Sequence, residues 1–375
     1  MTVEVRPVTS RGDRREFVEL PFRLHANAPE WVPPLRIERR LFLSPRFNGF
    51  FKHGEVELFL ARRGGRVVGR ISAHIDHTFN EYQGNDWGWF GFLELEDDPE
   101  VMTALLDAAE AWLRARGRDR MVGPADFTMN EESGLVIEGH DLPPMVRQPW
   151  HPRYYQPLAE GAGLEKVVDL FMWELSIADR EKMLPIMFEL ADTARDTHGV
   201  TLRKMSRWRL RKDLEVFAEI YNKAWAKNFG FMPYGPADLD ALAQEMQLAF
   251  SREWLMVAEK DGEPIAIAMT YPDVNQVLRK MNGRLLPFGW WHFLRKAKTI
   301  DRVRVGFLGV KPEFQHTGVA AQLYVEHFDL AEAHPLIYGG EMGWILETNK
   351  AMNRGMEAMN GRIVKKYRIY ERVFG

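Results

Sequence analysis

Apolar residues recur along this chain with two spacings, and the two alternate in the same order twice. Val5-Arg6-Pro7-Val8 and Leu202-Arg203-Lys204-Met205 each read as a short first strand, followed by a charged turn and an aromatic-rich helix (Arg15–Leu24; Leu214–Ala224). Two stretches with apolar arms come next, Leu58–Ile75 around Arg63-Gly64-Gly65 and Trp254–Tyr271 around Lys260-Asp261-Gly262. Their turn-type centres predict hairpins. Gly91-Phe92-Leu93-Glu94 then answers Gly306-Phe307-Leu308-Gly309, each ending a strand that runs into a long helix, near 99–116 and 318–333. A buried fifth strand follows (Arg120–Gly123; Leu336–Glu341), and each half closes with a glycine and a final strand (Gly163–Leu175; Gly361–Arg372). Six elements in one order, roughly 200 residues apart, predict a duplicated α/β domain, residues 1–195 and 196–375.

Length and composition allow this. A chain of 375 residues with 46% apolar content can build two cores. Lys+Arg (50) nearly balance Asp+Glu (53), with a pI near 6.4, so no global field selects nucleic acid. The basic run at 203–212 reads as a solvated strand and turn. There is no cysteine, which excludes disulfides, thiol nucleophiles and cysteine-ligated metals, and fits a reducing cytoplasm. His74 and His77 lack a third ligand, so no metal is expected. No stretch approaches the roughly 18 apolar residues of a spanning helix. The expectation is a soluble cytoplasmic protein. One segment departs from the even charge balance: Leu278–Ile300 is basic and amphipathic, and either lids a core or lies on a membrane surface.

The segment 304–323 concentrates the candidate chemistry. Val305–Val310 is a short strand interrupted by Gly306 and Gly309. After Lys311-Pro312-Glu313-Phe314, the turn Gln315-His316-Thr317-Gly318-Val319-Ala320 enters a helix with apolar residues at Ala321, Tyr324, Val325, Phe328 and Ala331. A glycine turn feeding a helix start aims unpaired amides and the positive dipole end at one spot, which suits a diphosphate.

With its lead-in and the later Asn349 and Gly361, this segment resembles the GNAT superfamily of N-acetyltransferases, whose loop reads Gln/Arg-x-x-Gly-x-Gly/Ala after strand four. The resemblance implies two tandem domains, each a mixed, mostly antiparallel sheet flanked by helices. It also implies direct transfer of an acyl group from acetyl-CoA or a longer acyl-CoA to a small-molecule or peptide amine. Gln315, His316, Thr317, Gly318, Val319 and Ala320 would then hold the pyrophosphate, and Leu308 and Val310 would pair with the pantetheine arm. Asn349 would lie near the coenzyme, and the Val310 amide would donate to the thioester oxygen. Glu341, ending the fifth strand, is the candidate base. The family's tyrosine seven residues after the asparagine is Met356 here, so Tyr324, Tyr338, Tyr367 and Tyr370 are substitute acids by residue type only, with Tyr367 the candidate among them.

In the first half, Glu94, Glu96, Asp97 and Asp98 stand where the loop belongs, and their charge would repel a diphosphate. That half is expected to lack coenzyme. Its insertion Gly123–Tyr155 reads either as a packed, proline-pinned connection or as an acceptor pocket lined by Asp126, Asn130, Glu131, His151, Tyr154 and Tyr155. Two other functions stay open: a non-catalytic acyl-CoA or lipid binding protein, and an aminoacyl-tRNA-dependent transferase of the peptidoglycan-bridge type, which would need a basic groove.

Overall fold

A computed structural model describes residues 2–235, 239, 240, 242, 243 and 251–375. It divides into two compact units, one of residues 1–170, 277–294 and 365–375, the other of 171–276 and 295–364. The sequence repeat and the packing units therefore cut the chain differently. Residues 171–195 pack in the second unit, and the last eleven residues in the first.

In the first unit, β1 (Val3–Pro7), β2 (Gly54–Arg63), β3 (Arg66–Asp76) and β4 (Trp87–Leu95) run antiparallel in order, and β5 (Arg120–Gly123) lies parallel to β4. Helix α1 (Arg11–Leu24) starts earlier than its apolar spacing predicts, because Ser10 and Asp13 cap it reciprocally: the Asp13 amide donates to the Ser10 hydroxyl, and the Ser10 amide to the Asp13 carboxylate. α2 (Arg36–Phe42) and α3 (His77–Gln83) follow in the connections. α4 (Pro99–Arg114) is capped by Asp98 and buries Val101, Leu105, Leu106, Ala109 and Leu113 at helical spacing. The unit is completed by β6 (Leu135–Glu138), α5 (Tyr155–Gly161) and the start of β7 (Glu165–Ser176).

The second unit repeats the plan. The rest of β7 leads through α6 (Pro185–Asp192) into β8 (Thr201–Lys204), α7 (Leu210–Ala224), β9 (Leu255–Lys260) and β10 (Glu263–Pro272). The chain then passes through α8 (Asn275–Met281) and α9 (Gly289–Leu294) before β11 (Arg302–Val310), α10 (Val319–Ala333), β12 (Gly339–Leu346), α11 (Lys350–Ala358) and β13 (Arg362–Val373). β8, β9, β10 and β11 are antiparallel neighbours and β12 is parallel to β11. Both hairpins turn on two residues of positive φ, Gly64 and Gly65 in one (58° and 82°), Asp261 and Gly262 in the other (52° and 80°). That geometry matches the twist of the flanking strands. The fifth strand starts later than Leu336, since the His334 ring accepts from the Leu336 and Ile337 amides and holds 334–338 in a turn.

The closing strands are the main departure from the sequence expectation. Tyr370–Val373 of β13 runs antiparallel to β5 in the first unit, with Tyr370 in its core. Phe171–Ser176 of β7 lies against β12 in the second, where the Leu175 carbonyl approaches Gly339 so closely that no β-carbon would fit.

Candidate functional site

The feature that the two units share is an early end to the parallel ladder. β11 and β12 pair from Arg302/Gly339 only as far as Val305/Met342, whereas β11 stays paired with β10 through Val310/Ala266. Gly306 is the bulged residue between those two regimes. Residues 306–310 therefore present one edge beyond the ladder. The Lys311 amide donates to the Ile265 carbonyl on β10. By strand alternation the Gly309 amide points the same way, and those of Leu308 and Val310 point to the open edge.

The first unit shows what such an edge does. Its ladder stops at Trp89/Val122, and β4 bulges at Phe92, whose φ is 48°. Leu95 is the counterpart of Val310, and its amide donates to the Tyr155 hydroxyl at 2.9 Å. The Tyr154 hydroxyl donates to the Leu95 carbonyl at 2.8 Å, and the Phe92 amide to Asp126 Oδ1 at 2.8 Å. Among the described residues, β12 does not pair with β11 beyond Val305, and the corresponding edge of the first unit is covered by side chains of the 123–155 insertion.

Those side chains belong to a buried polar cluster that sequence reasoning found only in part. Glu94 receives the Tyr155 hydroxyl at 2.8 Å, lies 2.7 Å from His25 Nε2 and 3.8 Å from Arg70. Burial alone would raise the Glu94 carboxyl; His25 and Arg70 outweigh it and hold it down at about 2. Asp126 is pushed up to about 7 by burial and by Glu132, against the pull of Arg39 at 3.7 Å. His151, beside Tyr155, is lowered to about 4 by burial. Tyr155 is fully buried with its hydroxyl committed to Leu95 and Glu94, so it supports the β4 edge instead of lining an open pocket. The Asn130 carbonyl accepts from Arg147. His25, Arg39 and Arg70 are far from this region in sequence and carried no signal there. Of the carboxylates expected to repel a diphosphate, Glu96 pairs with Arg23 and Arg66, and Asp98 with Arg63.

In the second unit the 315–320 turn forms a short 3₁₀ segment, Pro312–Thr317, and Gly318 in the left-handed region (φ 79°) starts α10. Among the described residues, no side chain caps that start. Gln315 and His316 are exposed and Ala320 half-buried, while Thr317, Gly318 and Val319 are buried. A β-carbon on Gly318 would stand 2.3 Å from the Leu190 carbonyl of α6. Helix packing therefore already accounts for this glycine, and the faces left for an anion are those of Gln315, His316 and Ala320.

The remaining candidates are dispersed. Glu341 is 1% exposed and 3.5 Å from Arg302, which also pairs with Glu174. Asn349 caps α11, its Oδ1 accepting from the Met352 amide. Met356 is fully buried. Tyr367 belongs to the first unit, where its hydroxyl meets Gln148 Oε1 at 3.3 Å.

No family model matches the chain. A tandem GNAT protein from the clavulanic acid biosynthesis pathway superposes with a TM-score of 0.59 at 13% identity, over 100% of this chain and 99% of that one. A GCN5-related N-acetyltransferase from Sphaerobacter thermophilus gives 0.54 at 11%, over 99% and 95%. The fold is therefore that of the tandem GNAT acyltransferases. In sequence, the chain is 39% identical over 376 residues to a bacterial ceramide synthase of Caulobacter vibrioides, covering 99% of this chain and 97% of that protein. It is 34% identical over 373 residues to Protein YghO of Escherichia coli, covering 98% and 95%. The chain belongs to the family that these two proteins share.

Proposed function

We propose that this protein is an acyl-CoA-dependent N-acyltransferase that acylates the amine of a sphingoid-type amino alcohol, giving a ceramide-class amide. The observation that carries the reading is the β11 edge that β12 leaves beyond Val305, where the Val310 amide takes the position at which the Leu95 amide meets a tyrosine hydroxyl. The 39% identity to a bacterial ceramide synthase supports the acceptor class and favours a long acyl chain over acetyl.

An acyl-CoA, when bound, supplies an activated thioester. The uncapped start of α10 directs its amides and dipole at the diphosphate, and the small side chain of Ala320 leaves them accessible. The Leu308 and Val310 backbone positions the pantetheine arm as an added strand would be positioned. The Val310 amide donates to the carbonyl oxygen as negative charge grows there. A C–N bond forms as the C–S bond breaks, and the proton lost by the amine ends on the sulfur. Orientation along the β11 edge supplies much of the acceleration.

Incubation with a long-chain acyl-CoA and a sphingoid base tests this. Free thiol should appear in step with the amide identified by mass spectrometry. Thermal stabilisation by acyl-CoA with no thiol released in the presence of the base would make the protein a binder and sink the enzymatic reading.

A further inference from the structure

We infer that the 282–294 segment of the first unit is a preformed docking knob for an anionic phospholipid surface. From Asn275 to Ile300 the chain carries six cations (Arg279, Lys280, Arg284, Arg295, Lys296 and Lys298) and no carboxylate, in a protein whose charges nearly cancel as a whole. Its apolar side chains face outward: Leu286 is 72% exposed, Phe288 77% and Leu294 67%, with Trp290 and Trp291 near one half. Large apolar residues so exposed and so close together are unusual on a surface that meets only water.

The segment is also built to hold those side chains out. Gly283 is wedged against Phe22, Arg36 and the Pro34 carbonyl, and its own carbonyl accepts from the Arg36 amide, which ties the base of the knob to α2. At the tip, Gly289 packs on the Arg284 carbonyl so tightly that a β-carbon would lie 2.0 Å from the oxygen. The Trp290 amide donates to the Leu285 carbonyl, the Trp291 amide to that of Phe288, and the Trp290 indole to that of Pro287. A turn braced in this way exposes its apolar groups without a large ordering cost on insertion. Ile37, on the adjoining α2, is 56% exposed.

The chemistry selects the occupant. Aromatic rings with a polar edge suit the headgroup level of a bilayer, aliphatic side chains suit the acyl boundary, and flanking cations with no acid among them suit anionic headgroups. A second copy of this chain would meet the same cations with like charge. This assignment stands apart from the acyltransferase reading and needs no turnover.

Flotation of the purified chain with phosphatidylglycerol-containing vesicles, against pure phosphatidylcholine vesicles at the same salt, tests it. The chain should float with the anionic vesicles, at least tenfold less with neutral ones. The Leu286→Glu/Phe288→Glu double variant and the Lys280→Glu/Arg284→Glu double variant should each lower partition at least tenfold while keeping the wild-type melting curve. Acyl transfer to a detergent-dispersed amine should persist in the Leu286→Glu/Phe288→Glu variant, which separates failure of docking from failure of the proposed reaction. No flotation, or flotation unchanged in that variant, overturns the inference. So does sedimentation equilibrium showing an oligomer that the same variant dissociates.

Discussion

The α-carbon of Gly318 lies beneath the Leu190 carbonyl, with 2.3 Å between that oxygen and the place of a β-carbon. The obstacle is backbone, which cannot swing aside, and φ is 79° besides. Gly318→Ala should therefore lower stability by about 2–4 kcal/mol through strain and displacement of α6. Urea unfolding measures it; a loss under about 0.5 kcal/mol, the scale of an unconstrained surface change, would contradict the packing. A bulky residue at 318 is for the same reason a poor probe of coenzyme binding.

Tyr155→Phe should remove the partner of the Leu95 amide and of Glu94 while keeping the ring in its core. Leaving a buried donor and a charged acceptor short of one hydrogen bond costs about 1–3 kcal/mol. Acyl transfer per folded molecule should be unchanged, because the covered β4 edge holds no substrate in this account. A kcat loss of tenfold or more with normal stability would instead place the first unit in the reaction.

Acid should destabilise the protein through buried neutral histidines. Burial holds His74 at about 3 and His151 at about 4, both below the ordinary 6.5. Below pH 6.5 the unfolded chain binds protons that the native state refuses. The stabilisation is therefore complete above that value and is lost as pH falls towards 4 and 3, at about 1.4 kcal/mol per pH unit for each proton. Asp126 opposes them: its raised carboxyl is protonated in the native state below about 7, so its contribution grows as pH falls from there to the unfolded value of 3.8. Chemical denaturation from pH 7 to pH 4 should show a shallower fall for His74→Leu and a steeper one for Asp126→Asn.

Glu341 sits where a base was expected, yet its carboxylate faces Arg302 from a fully buried position. Glu341→Gln should destabilise by about 1–3 kcal/mol, moderated because Arg302 keeps Glu174. Its pH–rate profile should keep the wild-type shape. Loss of the acidic limb of that profile, without loss of stability, would restore the base assignment.

Much of the architecture was legible because local chemistry dictates it. Asp98-Pro99 starts α4, and paired turn residues at 64–65 and 261–262 set two hairpins. The Gly306 bulge and the helix after Gly318 were readable from glycine placement. What was not legible depends on partners distant in the chain. Which unit Tyr367 and Tyr370 would enter is decided by pairing with residues more than 200 positions earlier. His25, Arg39 and Arg70 become site residues only when the sheet brings them to Glu94 and Asp126. Gly318 was read as an opening for a ligand, and contact with α6 offers a second, sufficient reason for it.

If the start of α10 holds the diphosphate of an acyl-CoA, as proposed, a substitution at Ala320 should block it. A carboxylate in the first turn of a helix favours the helix dipole, so Ala320→Glu should fold as well as wild type while repelling a diphosphate. Isothermal titration with coenzyme A should show one site per chain in the wild-type protein and at least tenfold weaker binding in Ala320→Glu, with equal melting temperatures. Absence of binding to the wild type, or equal affinity in the two proteins, would contradict the account.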